Sequence, residues 1–389
     1  MFFALAIAAV VGLEPTTMPA SLDLERMGRD HLYNLEYEQA RDQFGELSRR
    51  FPESPAGPYF EATAMWMEEF SRRGGMAGAT FRSGDYWART RHEAPDPEHA
   101  RGFRERVNEA VRRAEAILAK EPRDRDALFF RGAADGVLAA YVASVEHRYY
   151  SSYQTAKRAK SFHERLSALD PDYADAYLLQ GIYEYTVATL PRSLRILGFV
   201  VGIRGEKERG RKLVELSARK GNRTRWVARL SAAVIAQREK RYASALAALR
   251  QAERAFPRNP LFVLEQGSVH LLRKDWGRAR ALFERVLRQQ SNEVPNYAAL
   301  HRAIVLLKIG ESELFAKRFI AASDSLNLAL SEPDVPDYVR ARIFLRRGMS
   351  SDGRGRRSEA KWDYRRALSL DADSVTNKLA RTYSKIPFR

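Results

Sequence analysis

Three residues recur along this chain at one fixed spacing, and that recurrence limits its fold more than any other feature. Gly267 is followed twelve residues later by Ala279, and four after that by Phe283. The same frame returns as Gly28, Ala40 and Phe44 near the start, and as Gly348, Ala360 and Tyr364 near the end. Ala245 precedes Ala279 by thirty-four residues, one full period. Pro122, Pro171 and Pro257 each lead by ten residues to a glycine: Gly132, Gly181 and Gly267.

Each spacing has a physical cause. Glycine in one helix and alanine in the next let two antiparallel helices approach closely, and the large residue one turn later fills the gap. Proline stops the second helix and sets the direction of the next unit. A single hairpin cannot cover its own apolar face, so such units must stack. The rest of the chain fits: Ala, Leu, Arg and Glu stand at helical spacing, without alternating strand-like runs. Hydrophobic residues at 45% and charged residues at 30% describe a packed, well-solvated helical protein rather than a disordered one.

The pattern resembles the tetratricopeptide repeat, a thirty-four-residue helix–turn–helix. The closest units are 21–54, 226–259, 260–293 and 341–374, with looser ones at 55–121, 125–171, 174–220 and 294–332. The resemblance implies an all-α fold, a right-handed superhelical solenoid of about eight hairpins over residues 21–374. The first helix departs from the family at its usual tryptophan, which is Leu24, Val263 or Phe344 here, and Arg347 stands where the family often has leucine. Two insertions interrupt the array, at 71–97 and 187–210. The second, with Leu190-Pro191, Leu197-Gly198-Phe199 and Gly205 through Gly210, is similar to a segment of the tetratricopeptide repeat protein thirty-nine family. Residues 375–389 read as a basic C-terminal tail.

Residues 1–12 form an apolar run of secretory length, too short to span a bilayer, and Pro19-Ala20 before Ser21 suits cleavage. We expect export to a bacterial periplasm or envelope, with a cytoplasmic protein bearing an apolar N-terminal helix as the alternative. The absence of cysteine removes disulfides, thiolate nucleophiles and cysteine-ligated metals.

Catalytic signals are missing. The seven histidines, His31, His92, His99, His147, His163, His270 and His301, are scattered, and no two stand four apart as metal-binding helical pairs do. His31 and His270 fall where the repeat wants a large packing residue. Gly198, Gly202 and Gly205 lack the lysine and preceding strand of a phosphate loop, and read as a tight bend. The expectation is a protein with no enzymatic activity, no cofactor and no metal.

Binding features carry more. The resemblance implies that ligands lie along the concave surface made by the first helices. By repeat frame its groove positions are Arg29, Tyr33, Leu178, Tyr185, Gln237, Arg238, Ser268, Arg302 and Arg342. The family's Lys/Asn clamp for a peptide C-terminus is not reproduced. Tyrosines gather at Tyr141, Tyr149, Tyr150 and Tyr153, and again at Tyr173, Tyr177, Tyr183 and Tyr185, where they suit packing between hairpins or stacking in a groove. The net charge of +17 concentrates at 204–225 and 340–366, which favours an acidic protein or peptide partner. An anionic membrane or envelope polymer is the second partner reading, with the apolar stretch from Leu194 to Ile203 at the interface. Nucleic acid is the third, and it requires the export reading to fail.

Overall fold

The computed structural model describes residues 20–73, 94–190, 204–370 and 374–389. Most of both insertions, the leader and the Leu194-to-Ile203 stretch lie outside the described residues, as does most of the segment similar to the thirty-nine family. Among the described residues the chain is seventeen α-helices with one short 3₁₀ turn and no strand.

The helices pair in sequence. Unit 1 joins α1 (Ala20–Tyr33) to α2 (Tyr37–Arg50), and unit 2 joins α3 (Ala56–Arg72) to α4 (Pro97–Lys120). Unit 3 is α5 (Arg125–Ser144) with α6 (Tyr149–Leu169), and unit 4 is α7 (Tyr177–Ala188) with α8 (Lys207–Lys220). Units 5 and 6 are α9 (Arg225–Arg238) with α10 (Tyr242–Ala255), then α11 (Pro260–Leu272) with α12 (Trp276–Ser291). Units 7 and 8 are α13 (Arg302–Phe315) with α14 (Phe319–Ser331), then α15 (Asp337–Gly353) with α16 (Arg357–Ser369). The all-α solenoid of eight hairpins is thus what the chain forms. Of residues 375–389, read from sequence as a basic tail, those up to Lys385 form most of a further helix, α17 (Ser374–Lys385). Leu379, Ala380, Tyr383 and Phe388 pack it on unit 8, covering an apolar face that the hairpin cannot cover by itself.

The recurring glycines do what their spacing requires. A Cβ on Gly28 would lie 2.3 Å from the Phe44 ring, and one on Gly267 would lie 2.4 Å from Phe283. On Gly348 it would meet Tyr364 at 2.6 Å. These rings are fully buried, each contributing on the order of 2–3 kcal/mol of apolar burial. The turn inside the hairpin also repeats. Leu35, Lys240, Lys274, Lys317 and Gly355 all adopt positive φ, between 59° and 75°. Helix starts are capped where the sequence offers an oxygen before proline. Asp96 accepts from the Glu98 amide ahead of Pro97, and Asn259 accepts from the Leu261 amide around Pro260.

Successive first helices touch one another, α1 with α3, α3 with α5, α11 with α13 and α13 with α15. Second helices pack chiefly on their own partner and on the next first helix. First helices therefore line the inside of the curve.

Candidate functional site

Of the nine groove positions read from the repeat frame, the structure leaves two exposed. Arg238 and Arg302 are open to solvent on α9 and α13. Tyr33, Leu178, Tyr185, Gln237 and Ser268 are buried, so as exposed groove residues they are corrected to packing positions. Leu178 and Tyr185 join Val214, Ala228 and Ile235 between units 4 and 5. Arg29 and Arg342 are half-buried in contacts of their own. A repeat frame assigns a helix face but not the curvature of the whole array, and here the curvature brings distant units onto that face.

The array coils back so that the inter-unit loops of its later half sit on the inner face of α1. Arg29 donates to the Arg223 carbonyl at 3.0 Å and to the Asn222 carbonyl at 3.3 Å. Arg223 reaches the other way, donating to Glu25 at 2.9 Å and to both Asp126 oxygens at 3.0 and 3.1 Å, over the Phe130 ring. Tyr173 donates to Asp126 at 2.7 Å. Asp175 holds the loop that carries Arg223, accepting from the Asn222 and Thr224 amides at 2.9 Å each and from the Thr224 hydroxyl at 2.6 Å.

A second set of contacts closes the same seam one unit on. Arg258 donates to Glu36 at 2.5 Å and to Asp30 at 3.3 Å, while its amide donates to the Asn34 side chain at 3.1 Å. Asn259 donates to the Tyr33 carbonyl at 2.7 Å, and Asn296 to the Asn34 carbonyl at 2.8 Å. The Tyr33 ring packs on Phe256 with centroids 4.9 Å apart. We call this seam the clasp.

Its electrostatics are self-consistent. Burial alone would lower the Arg223 pKa, but the Glu25 and Asp126 carboxylates outweigh it and the value rises. Burial would raise the Asp126 pKa, yet Arg223 pulls it below the usual carboxylate range. Glu36 is lowered in the same way, burial being overcome by Arg258 and His31. His31, expected as a packing residue, is instead a half-buried partner of Glu36 at 2.6 Å; its repeat equivalent His270 meets Asp275 at 3.2 Å.

A charge cluster lies between units 7 and 8. Glu311 is buried and accepts from Lys308 at 3.0 Å and Arg346 at 3.0 Å, with Arg342 at 3.4 Å. Burial would raise its pKa, but Lys308, Arg346 and Arg342 hold it far below the usual range. The signal available in sequence was an acid and a base about one repeat apart on consecutive first helices. Of the tyrosines, Tyr141 stacks in the core on Phe103 and Tyr173 serves the clasp, whereas Tyr149 and Tyr150 are exposed. Much of the 204–225 basic zone is also spent internally, Arg211 on Glu208 and Glu215, and Arg223 on the clasp.

Among the described residues no group of three or more His, Asp or Glu is placed to hold a metal ion, and no helix is long and apolar enough to cross a membrane. What the geometry defines is a helical-repeat solenoid with a partly covered inner face. Residues 230–295, spanning units 5 and 6, match the family model described as tetratricopeptide repeat. Units 5 and 6 are therefore tetratricopeptide repeats, and the hairpins on either side share their helical pairing. No curated protein matches the chain. Among solved structures it is similar to a thermophilic tetratricopeptide-repeat protein of Thermus thermophilus, at 17% identity over 65% of this chain and 100% of that one, TM-score 0.35. Pseudomonas aeruginosa PilF matches at 15% identity over 67% and 98%, TM-score 0.42. A monomeric mutant of human IFIT1 with Gppp-AAAA matches at 13% identity over 94% and 86%, TM-score 0.48.

Proposed function

We propose that this protein is a non-catalytic scaffold that holds an extended segment of a partner protein on the open part of its inner face, along the first helices of units 5 to 7. Tetratricopeptide arrays are generally protein-interaction scaffolds without catalytic activity, which supports the class. The observation that carries the finer reading is the contrast along the inner face. The clasp covers α1, while Val227 and Arg238 on α9, Leu272 on α11 and Arg302 on α13 stay exposed. Exposed apolar and basic side chains on consecutive first helices, Arg302 among them beside Glu332 at 3.2 Å, suit a segment with apolar anchors and acidic residues. For location we propose the bacterial envelope, a reading that rests on the apolar run at residues 1–12.

Affinity capture from the native host with the wild-type chain and with Arg238→Ala/Arg302→Ala tests the surface. Capture of a defined partner should fall several-fold in the variant, with helicity and melting unchanged. Equal capture by both proteins would place the partner elsewhere.

A further inference from the structure

The outer side of the last two units carries a second surface that the inner-face reading does not use. A cleft of about 420 Å³ opens between α14, the end of α15 and α16. Ser323 and Asn327 form its α14 wall, Ser351 and Arg354 its α15 end, and Trp362 its α16 wall. Trp362 is 48% exposed, unusual for a large aromatic residue in a chain that buries most of its rings. Across the cleft Ile320 is 65% exposed and Leu328 58%; Ile320 precedes Ser323 and Asn327 by three and seven residues, on one side of α14. Trp362 thus gives the cleft one apolar wall, and Ile320 and Leu328 stand exposed on α14 next to it.

The charge on the α16 side is mostly positive, while Asp324 stands exposed between Ile320 and Leu328 on α14. The carboxylates around α16 are paired. Asp352 receives Arg357, the Tyr364 hydroxyl and the Phe388 amide, and Asp363 receives the Arg347 fork. Glu359 pairs with Arg356. Lys361, Arg365 and Arg366 stand exposed beside Trp362 on α16. Among the described residues Arg354, Lys361 and Arg365 have no carboxylate partner, and Arg366 only stacks, on Trp362 at 5.6 Å and Phe344 at 5.9 Å. A polar end-cap accounts for solvated charge, but not for exposed Trp362, Ile320 and Leu328 set among unpaired cations.

We propose that this cleft and the adjoining face of α16 dock an acidic segment of a partner protein. Its carboxylates pair with Arg354, Lys361 and Arg365, and its apolar side chains seat on Trp362 and Ile320. Charge complementarity selects the occupant. A continuous phosphate chain fits less well, because it has no apolar side chains to seat on the exposed Trp362 and Ile320. A lipid surface is flat, whereas the apolar groups here stand on two sides of a recess. The proposal shares with the scaffold reading the assumption that the ligand is protein, but it uses a separate surface.

The probe is a fluorescein-labelled peptide of Asp and Glu with Leu and Phe at helical spacing, titrated with the full chain by anisotropy. Arg354→Ala/Arg365→Ala should weaken binding about tenfold or more, as expected for lost charge-assisted contacts, and Trp362→Ala should weaken it several-fold. Both changes are at surface positions, and circular dichroism confirms the fold. A Gln/Asn version of the peptide should bind poorly, and the wild-type affinity should fall with salt. No binding, or binding unchanged in both variants, overturns the proposal. So does displacement of the peptide by short single-stranded DNA or by anionic phosphatidylglycerol vesicles at lower concentration than unlabelled peptide. Loss of peptide binding in Arg238→Ala/Arg302→Ala, but not in Arg354→Ala/Arg365→Ala, overturns this site while leaving the inner-face scaffold standing.

Discussion

Arg223 donates to Glu25 at 2.9 Å across 198 residues of chain, tying the first hairpin to the loop after the fourth. Both side chains are shielded, 12% and 3% exposed, so the pair behaves as a buried one. Arg223→Met strands a buried carboxylate and should cost about 3–5 kcal/mol in urea unfolding. Adding Glu25→Gln should recover much of that loss, giving a positive coupling in the double-mutant cycle. Arg258→Met, at a site 43% exposed, should cost only about 1 kcal/mol or less.

The glycine positions separate close packing from helix propensity. Gly267→Ala forces Phe283 to move and should destabilise the chain by about 1–3 kcal/mol, with Gly28→Ala similar. Gly277, also helical, has nothing within 4 Å of its added Cβ. Gly277→Ala should therefore be neutral or raise stability by up to about 1 kcal/mol. Thermal melts of the three variants decide it.

The hairpin turns make an opposite pair of substitutions informative. Gly355 has φ 75° and Lys274 has φ 61°. Gly355→Ala should lose roughly 1 kcal/mol, while Lys274→Gly should gain about 0.5–1 kcal/mol by relieving left-handed strain. Equal effects of one sign in both variants would contradict the assigned turn geometry.

His163 gives the fold a pH signature. It is buried beside Gly132, with its ring nitrogens 3.2 Å from the Ala176 carbonyl and 3.1 Å from the Phe129 carbonyl. A neutral imidazole donates to only one of them. Burial pushes its pKa down to about 4, against the pull of those carbonyls. The unfolded chain binds this proton first, so the stability contribution is intact above about pH 6.5 and declines as pH falls towards 4. The total loss is roughly 3 kcal/mol. His163→Gln should flatten that part of the stability–pH curve; an unchanged slope would assign it to other groups.

The hairpins were legible because their determinants are local and periodic. Gly267, Ala279 and Phe283 meet within one unit, and their spacing is written in the sequence. The clasp was not legible. Whether Arg258 reaches Glu36 depends on small rotations summed over several hairpins, which no single unit encodes. That sum buried Tyr33, which the repeat frame alone would leave facing a groove. Arg238 and Arg302 lie outside the clasp contacts, which meet unit 5 at Phe256, and remain exposed. At the C-terminus, counting charge hid the packing face of Leu379, Ala380 and Tyr383, which makes residues 374–385 a capping helix.

The closed seam is the central claim, and a chain without cysteine allows a clean test of it. Asp30→Cys and Arg258→Cys place two thiols where the native side chains are 3.3 Å apart across 228 residues. Treated with a short bifunctional thiol reagent at low protein concentration, the native double variant should give a rapid intramolecular cross-link, located by peptide mass analysis and formed far more slowly when the reagent is added in urea. A yield no higher than that of the unfolded chain would mean that the array is open and that the clasp does not exist.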